Sequence, residues 1–126
     1  MTREEFLIDT IEYFATDPIS RRNISQEGIC TYTPIKSTSQ GCAIGRFMTP
    51  HNQIIADKIQ DINIIMDTTL LPKEIKELGT SFLCDVQLFH DENDYFDEYG
   101  LTERGMNYIN SLIDSYNLNI KKKRYK

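Results

Sequence analysis

The stretch over residues 28–47 concentrates the unusual residues of this 126-residue chain and constrains its fold the most. It holds two of the three cysteines and three of the six glycines. β-Branched and aromatic side chains favour a strand over residues 29–35, and residues 42–47 return as a second strand after a serine-rich loop over residues 36–40. This pattern predicts a β-hairpin on which helices pack.

Helix-start signals lie on both sides of this stretch. Thr2 with Glu5 three residues later is a capping box, which predicts a helix over residues 3–16. Thr49 as N-cap before Pro50 begins another helix. The apolar stripe of this second helix consists of Ile54, Ile55, Lys58, Ile59 and Ile62, with Asp57 and Gln60 facing outward.

Three more helices are predicted in the second half of the chain. A short one over residues 72–78 is closed by Gly79, and Thr80 and Thr102 cap two longer ones. The run over residues 62–66 is too short for its periodicity to distinguish a strand from a helix. The inward residues of the first long helix are Phe82, Leu83, Val86, Phe89 and His90, and those of the second are Met106, Ile109, Leu112, Ile113 and Tyr116.

These patterns predict an α+β fold, in which a small antiparallel β-hairpin is packed by about five helices. A chain of 126 residues is long enough for one core, so we expect a single domain over residues 1–120 and a basic tail over residues 121–126. Outside that tail, nine basic side chains face nineteen acidic ones, a net charge of −10. Such an acidic body argues against binding to nucleic acid.

Export and membrane signals are missing from the sequence. The first residues contain no basic patch followed by an apolar run, and nowhere do eighteen apolar residues run together. An odd number of cysteines without an export signal indicates reduced thiols. We therefore expect a protein that works inside a cell and does not enter a membrane.

Three short motifs carry a resemblance. The positions concerned are Cys30, Tyr32, Cys42, Ala43, Ile44, Gly45, Gln87, His90 and Asp91. They resemble a type of small protein met in phage and prophage genomes, which shows Cys-x-Tyr, a turn, Cys-Ala-(aliphatic)-Gly and a later Leu-Gln-x-x-His-Asp. In this chain the turn is longer and richer in serine, and Val86 replaces the leucine. The resemblance covers residues 21–91 and implies a viral origin, but it implies no reaction.

Cys42 is a candidate nucleophile. A thiolate needs a base or a cationic neighbour at neutral pH, and His90, oriented by Asp91, is the candidate base. The competing interpretation is that Cys42 is a core residue, because free cysteines are among the most buried side chains. His90 is likewise expected to stabilise a helix C-terminus beside Asp91.

The chain's cysteines and histidines are candidate metal ligands. The candidate zinc ligands are Cys30, Cys42, Cys84, His51 and His90. Structural zinc sites usually contain ligand pairs spaced as Cys-x-x-Cys or His-x-x-x-His, and this chain has none. We therefore expect no metal and no cofactor.

Two groups of residues are candidate binding surfaces. Tyr95, Phe96 and Tyr99 lie among acidic residues and predict either a patch for a basic partner or anchors in the core. A group of basic residues near the predicted hairpin either grips the phosphates of a small nucleotide or neutralises nearby carboxylates. This basic group comprises Arg21, Arg22, Lys36 and Arg46.

The function predicted from these observations is that of a phage accessory protein without enzymatic activity. We expect it to act in the host cytoplasm by binding a protein, either a host protein such as a defence component or another phage protein. One alternative is a binder that sequesters a nucleotide through Arg21, Arg22 and Arg46. The other is a small cysteine-dependent hydrolase that uses Cys42 and His90.

Overall fold

A computed structural model of the chain describes residues 1–24, 31–35 and 39–122. Within these ranges it is mostly helical with one small antiparallel sheet, which confirms the predicted α+β class. The α-helices are α1 (Arg3–Thr16), α2 (Pro18–Arg21), α3 (Pro50–Ile59), α4 (Ile62–Ile65), α5 (Lys73–Lys76), α6 (Thr80–Asp91) and α7 (Glu103–Ser115). Short 3-10 helices span Gly45–Phe47 and Asn93–Tyr95, and the strands are β1 (Phe96–Asp97) and β2 (Gly100–Leu101).

The helix starts that depend on local capping are confirmed. The Thr2 hydroxyl accepts a hydrogen bond from the Glu5 amide at 3.1 Å, and the Glu5 carboxylate accepts one from the Thr2 amide at 2.9 Å. Thr49 and Thr102 cap α3 and α7 in the predicted way. Thr80 is the exception, because it is the first residue of α6 and Gly79, with φ of +98°, is the cap.

The hairpin predicted over residues 28–47 is wrong in the part of it that the structure describes. Residues 31–35 contain no strand, and residues 42–47 form a turn followed by a 3-10 helix. The Cys42 carbonyl accepts from the Arg46 amide at 3.1 Å, so this backbone bonds to itself and not to a neighbouring strand. Tertiary context has overridden β-propensity here. Residues 25–30 and 36–38 lie outside the described ranges.

The sheet lies instead at residues 96–101, between α6 and α7. Strands β1 and β2 are antiparallel, with Phe96 opposite Leu101 and Asp97 opposite Gly100. The β2 strand contacts both α1 and α7. This β1–β2 hairpin is therefore attached to the helical core, to which Phe96 of β1 also contributes a buried ring.

The buried face of α3 also differs from the prediction. Gln53 and Ala56 are buried, whereas Ile54 is 52% exposed. The Gln53 side chain donates to the carbonyls of Gln40 and Gly45, at 3.1 Å and 2.9 Å. The Gln53 side chain thus satisfies two backbone carbonyls inside the fold. Of the α3 isoleucines, Ile54 faces outward, whereas Ile55 and Ile59 pack against the core. Residues 62–66, which periodicity could not assign, form helix α4 with Met66 as its C-cap.

Helix α6 forms the centre of the core. It contacts α1, α4 and α7, and all five of its predicted inward residues are buried. In α7 the predicted stripe is buried at Ile109, Leu112 and Ile113, while Met106 and Tyr116 are only partly covered. In the described chain, no helix is both long and apolar enough to cross a bilayer.

The predicted basic tail begins where the described chain ends. Lys122 forms an exposed ion pair with Asp114 of α7 at 2.7 Å. Exposed pairs of this kind contribute roughly 0 to 1 kcal/mol to stability, so this contact only weakly holds the chain end against α7. Residues 123–126 lie outside the described ranges.

Candidate functional site

The described motif residues come together between the turn over residues 39–48 and helix α6. The Ile44 amide donates to the side-chain oxygen of Gln87 at 3.2 Å. The amide nitrogen of Gln87 in turn donates to Asp91 at 2.8 Å. The side chain of Gln87 therefore links the Cys-Ala-Ile-Gly motif to the Gln-x-x-His-Asp motif. Cys30 lies outside the described ranges.

Two glycines allow the backbone of this turn to lie in close contact with the backbone of Tyr32. A Cβ on Gly41 would lie 2.5 Å from the Tyr32 carbonyl oxygen, and Gly41 has a φ of +115°. A Cβ on Gly45 would lie 2.7 Å from the same oxygen and 2.8 Å from the Tyr32 Cα. Only glycine fits at such approaches to backbone atoms. Gly41 and Gly45, which flank Cys42, thus allow the turn to lie against Tyr32.

Asn23 holds the segment over residues 31–39, and sequence reasoning missed it. It is fully buried, and its side-chain nitrogen donates to the carbonyls of Thr31 at 2.6 Å and Thr33 at 2.8 Å. Its side-chain oxygen accepts from the Ile35 amide at 2.8 Å and the Ser39 hydroxyl at 3.0 Å. Asparagine often replaces backbone partners in this way. No spacing rule marks it, because its partners are not neighbours in sequence.

His90 is fully buried, and both of its ring nitrogens have partners. Nδ1 lies 2.8 Å from the Asp91 carboxylate, and Nε2 accepts from the Asn23 amide at 3.0 Å. This pattern requires the neutral ring with its proton on Nδ1. Burial lowers the pKa of His90, although the hydrogen bond from the ring to Asp91 opposes this shift. The ring therefore has no free nitrogen with which to take a proton from a thiol.

Stability is expected to fall as the pH drops below about 6.5, the pKa of an unfolded histidine. The folded pKa of His90 is lower, so the folded state binds fewer protons in this range and protonation favours unfolding. One such group contributes a slope of about 1.4 kcal/mol per pH unit at most. Above pH 6.5 its contribution is constant.

Urea unfolding of the wild type and His90→Gln between pH 7.5 and pH 5 measures this effect. The variant should lose the part of the slope that begins near pH 6.5. His51→Gln is the matched control, because His51 is exposed at the start of α3. Equal slopes in the wild type and His90→Gln would contradict the assignment to His90.

Cys42 is a buried thiol, 2% exposed, that accepts a hydrogen bond from the Gly45 amide at 3.3 Å. Burial raises the pKa of Cys42 to about 12, so the thiolate is not populated at neutral pH. Burial also raises the pKa of Cys84. Together with the occupied ring of His90, this geometry does not favour the hydrolase alternative. Among the residues described, no three cysteine, histidine or acidic side chains are grouped to hold a metal ion.

The three described arginines of the predicted basic cluster bind groups of the protein itself. Arg46, only 6% exposed at its side chain, forms an ion pair with Asp9 at 2.9 Å. Arg21 donates to the Tyr13 carbonyl at 3.1 Å, and Arg22 donates to the His90 carbonyl at 2.8 Å. Lys36 lies outside the described ranges. The geometry therefore gives no support to a phosphate site formed by these arginines.

The predicted aromatic patch is divided between core and surface. Phe96 is 6% exposed, and its ring centroid lies 5.0 Å from that of Phe89. Tyr95 is half-buried and stacks on Tyr108 with centroids 4.7 Å apart. Tyr99 is 88% exposed. Phe96 is therefore a core anchor and not a surface contact, and Tyr99 is the member of the set that is open to a partner.

A cleft of about 500 Å³ opens beside the motif residues. Tyr32, Cys42, Gln87 and Asp91 line it together with Asp57, Ile62 and Leu88. The Asp57 carboxylate is held by the backbone amides of Tyr32 and Thr33, at 2.6 Å and 3.3 Å. Sequence analysis missed Asp57, because it was assigned to the outward face of α3.

Comparison with known proteins identified no relative of the chain. No protein-family model matches the chain, and neither does any curated protein or solved structure. The choice of a function therefore depends on the residues described above.

Proposed function

We propose that this chain is a phage-encoded accessory protein that acts in the host cytoplasm by binding a protein. The partner is a host protein, such as a component of anti-phage defence, or another phage protein. The resemblance of the motifs supports the viral origin. The observation that carries the binding function is the exposure of Tyr99, at 88%, on an otherwise anchored hairpin.

The hairpin presents Tyr99 on a supported turn. Phe96 is buried in the core on one strand, and on the other Gly100 lies against α1, where a Cβ would be 3.1 Å from the Ala15 carbonyl. At the tip, the Asp97 carboxylate accepts from the Tyr99 amide at 2.8 Å. This bond fixes the backbone at Tyr99. The exposed side chain offers a partner both an apolar ring and a hydroxyl.

The charges near Tyr99 specify the kind of partner. Asp97 and Glu98 are exposed beside it on the same turn. Asp94, by contrast, is paired with Arg104 at 2.7 Å. Complementary charge favours association, so the partner surface is basic and contains a pocket for an aromatic ring.

Tyr99→Ala is expected to weaken binding of the partner at least about thirtyfold, the effect of a central interface residue. The tagged wild type and variant are used to capture proteins from lysate of a bacterial host with and without phage infection. Native mass spectrometry then measures the stoichiometry of any complex, and titration measures its Kd. Ile54→Ala is the control, because Ile54 is 52% exposed on α3, a different element from the hairpin.

A complex of fixed stoichiometry that Tyr99→Ala disrupts and Ile54→Ala preserves would support the proposal. A partner held equally well by both variants would exclude Tyr99 as the anchor. A protein that stays without a partner in every lysate would argue against the binding function itself.

A further inference from the structure

The cleft combines an apolar wall with two carboxylates from different helices. Ile62 of α4 and Leu88 of α6 are apolar, and Leu88 is 47% exposed. Asp57 comes from α3, and Asp91 is the last residue of α6. Its volume of about 500 Å³ falls in the range of small-molecule sites, which pair an apolar lining with a few placed polar groups.

Both carboxylates are held in position and keep acceptor capacity. The two oxygens of Asp57 each accept one backbone amide, from Tyr32 and Thr33. The Oδ1 atom of Asp91 takes the side-chain hydrogen bonds from Gln87 and His90. A carboxylate offers about four acceptor positions, so about half of the capacity of each group is left. Groups fixed in this way need little reorganisation to receive a ligand.

In the described part of the chain, no basic side chain neutralises the two carboxylates of the cleft. Among the described residues, no lysine or arginine lines the cleft, and neither Asp57 nor Asp91 forms an ion pair with one. Burial raises the pKa of Tyr32, and the nearby charges of Asp91 and Asp57 contribute to the same shift. The potential at this surface is therefore negative, which disfavours anionic ligands.

We propose that the cleft binds a small organic cation with a short apolar stem, an alkylguanidinium or alkylammonium. The charged head donates to the carboxylates of Asp57 and Asp91, and the stem lies against Ile62 and Leu88. Charge-assisted hydrogen bonds of this type are about twice as strong as neutral ones. The site goes beyond the proposed protein binding, because it uses none of the residues at the hairpin tip.

Butylguanidinium is the probe, and two-dimensional NMR of the full chain at constant ionic strength is the measurement. A ligand this small is expected to bind with a Kd on the order of 1 mM. Amide shifts should be centred on Ile62, Leu88 and Asp91. Butanol, with the same stem and no charge, and butyrate, with the opposite charge, should produce no saturable shifts at these amides.

Leu88→Lys places a competing cation at the rim of the cleft and should weaken binding about tenfold or more. Leu88 is exposed on a helix, so this change leaves the fold intact. Leu88→Gln also removes the apolar contact but adds no charge, so it should weaken binding less than Leu88→Lys does. Asp91→Asn should weaken binding to a similar extent. The control for removal of an acid is Asp67→Asn, because Asp67 is exposed and does not line the cleft.

Failure of butylguanidinium to shift the three amides at 20-fold the expected Kd, about 20 mM, would overturn the proposal. Binding that Leu88→Lys and Asp91→Asn leave unchanged would also overturn it. A second probe, acetyl-Gly-Arg-Gly-amide, distinguishes the source of the cation. Tighter binding of this peptide than of butylguanidinium indicates an arginine of a protein, and equal or weaker binding indicates a free small molecule.

Discussion

Asn23→Ala is expected to destabilise the protein by about 3 to 5 kcal/mol, among the largest effects of any single change. The substitution removes the donor for the carbonyls of Thr31 and Thr33 and the acceptor for the amide of Ile35. Asn23 itself has no exposed surface, so water cannot fully replace these bonds. Each buried polar group left without a partner costs about 1 to 3 kcal/mol.

Urea unfolding monitored by circular dichroism measures this loss. Asn107→Ala is the matched control, because Asn107 is exposed on α7 and its loss should change the free energy of unfolding by no more than about 0.5 kcal/mol. Asn23→Asp keeps the size of the side chain, but it replaces the donor nitrogen with an oxygen and buries an acidic group. It should therefore destabilise the fold as well. A loss below about 1 kcal/mol in both Asn23 variants would contradict the role of this side chain.

Phe96→Ala is expected to destabilise the protein by about 3 to 5 kcal/mol, the usual range for a buried phenylalanine. Its ring lies against Phe89, and the guanidinium of Arg22 lies 4.6 Å from its ring centroid. Both contacts disappear in the variant and leave a cavity. Tyr99→Ala, three residues further on, should change stability by no more than about 0.5 kcal/mol because Tyr99 is exposed.

Thermal unfolding of the two variants under one set of conditions compares these values directly. Equal losses in Phe96→Ala and Tyr99→Ala would mean that the hairpin is not anchored by Phe96. The comparison also decides how binding data are interpreted. A partner lost in Phe96→Ala reflects a destabilised hairpin, whereas a partner lost in Tyr99→Ala at full stability reflects a missing contact.

The two proposed sites can be tested independently. Tyr99 lies at the tip of the hairpin, and the cleft is lined from α3, α4 and α6. Leu88→Lys should therefore leave protein binding through Tyr99 unchanged, and Tyr99→Ala should leave butylguanidinium binding unchanged. Failure of one proposal does not remove the other.

Local signals predicted much of the helical structure. The capping box of Thr2 and Glu5 and the Thr49–Pro50 start operate within three residues, so no distant part of the chain is needed to recognise them. The buried stripe of α6 was predicted for a similar reason, because its periodicity extends over the whole helix. The α+β class followed from these elements together.

The candidate site was only partly predictable. The motifs drew attention to Cys42, Gln87, His90 and Asp91, but their sequence spacing carried no information about contact. Gln87 reaches the Ile44 amide across 43 positions, and Asn23 reaches His90 across 67. For Phe96 and Arg46 the sequence left open whether they are surface or buried residues. The structure places Phe96 against Phe89 and pairs Arg46 with Asp9 of α1, which lies far away in sequence.

The sequence alone thus determined where most helices begin and which faces of α6 and α7 are apolar, because capping and periodicity are local properties of the chain. Only the tertiary structure decided that the stretch over residues 42–47 is a turn with a 3-10 helix, and that the sheet lies at residues 96–101. The physical reason is that strands and buried polar groups are stabilised by distant partners. Asn23, Gln53 and His90 satisfy backbone groups that no local pattern assigns to them.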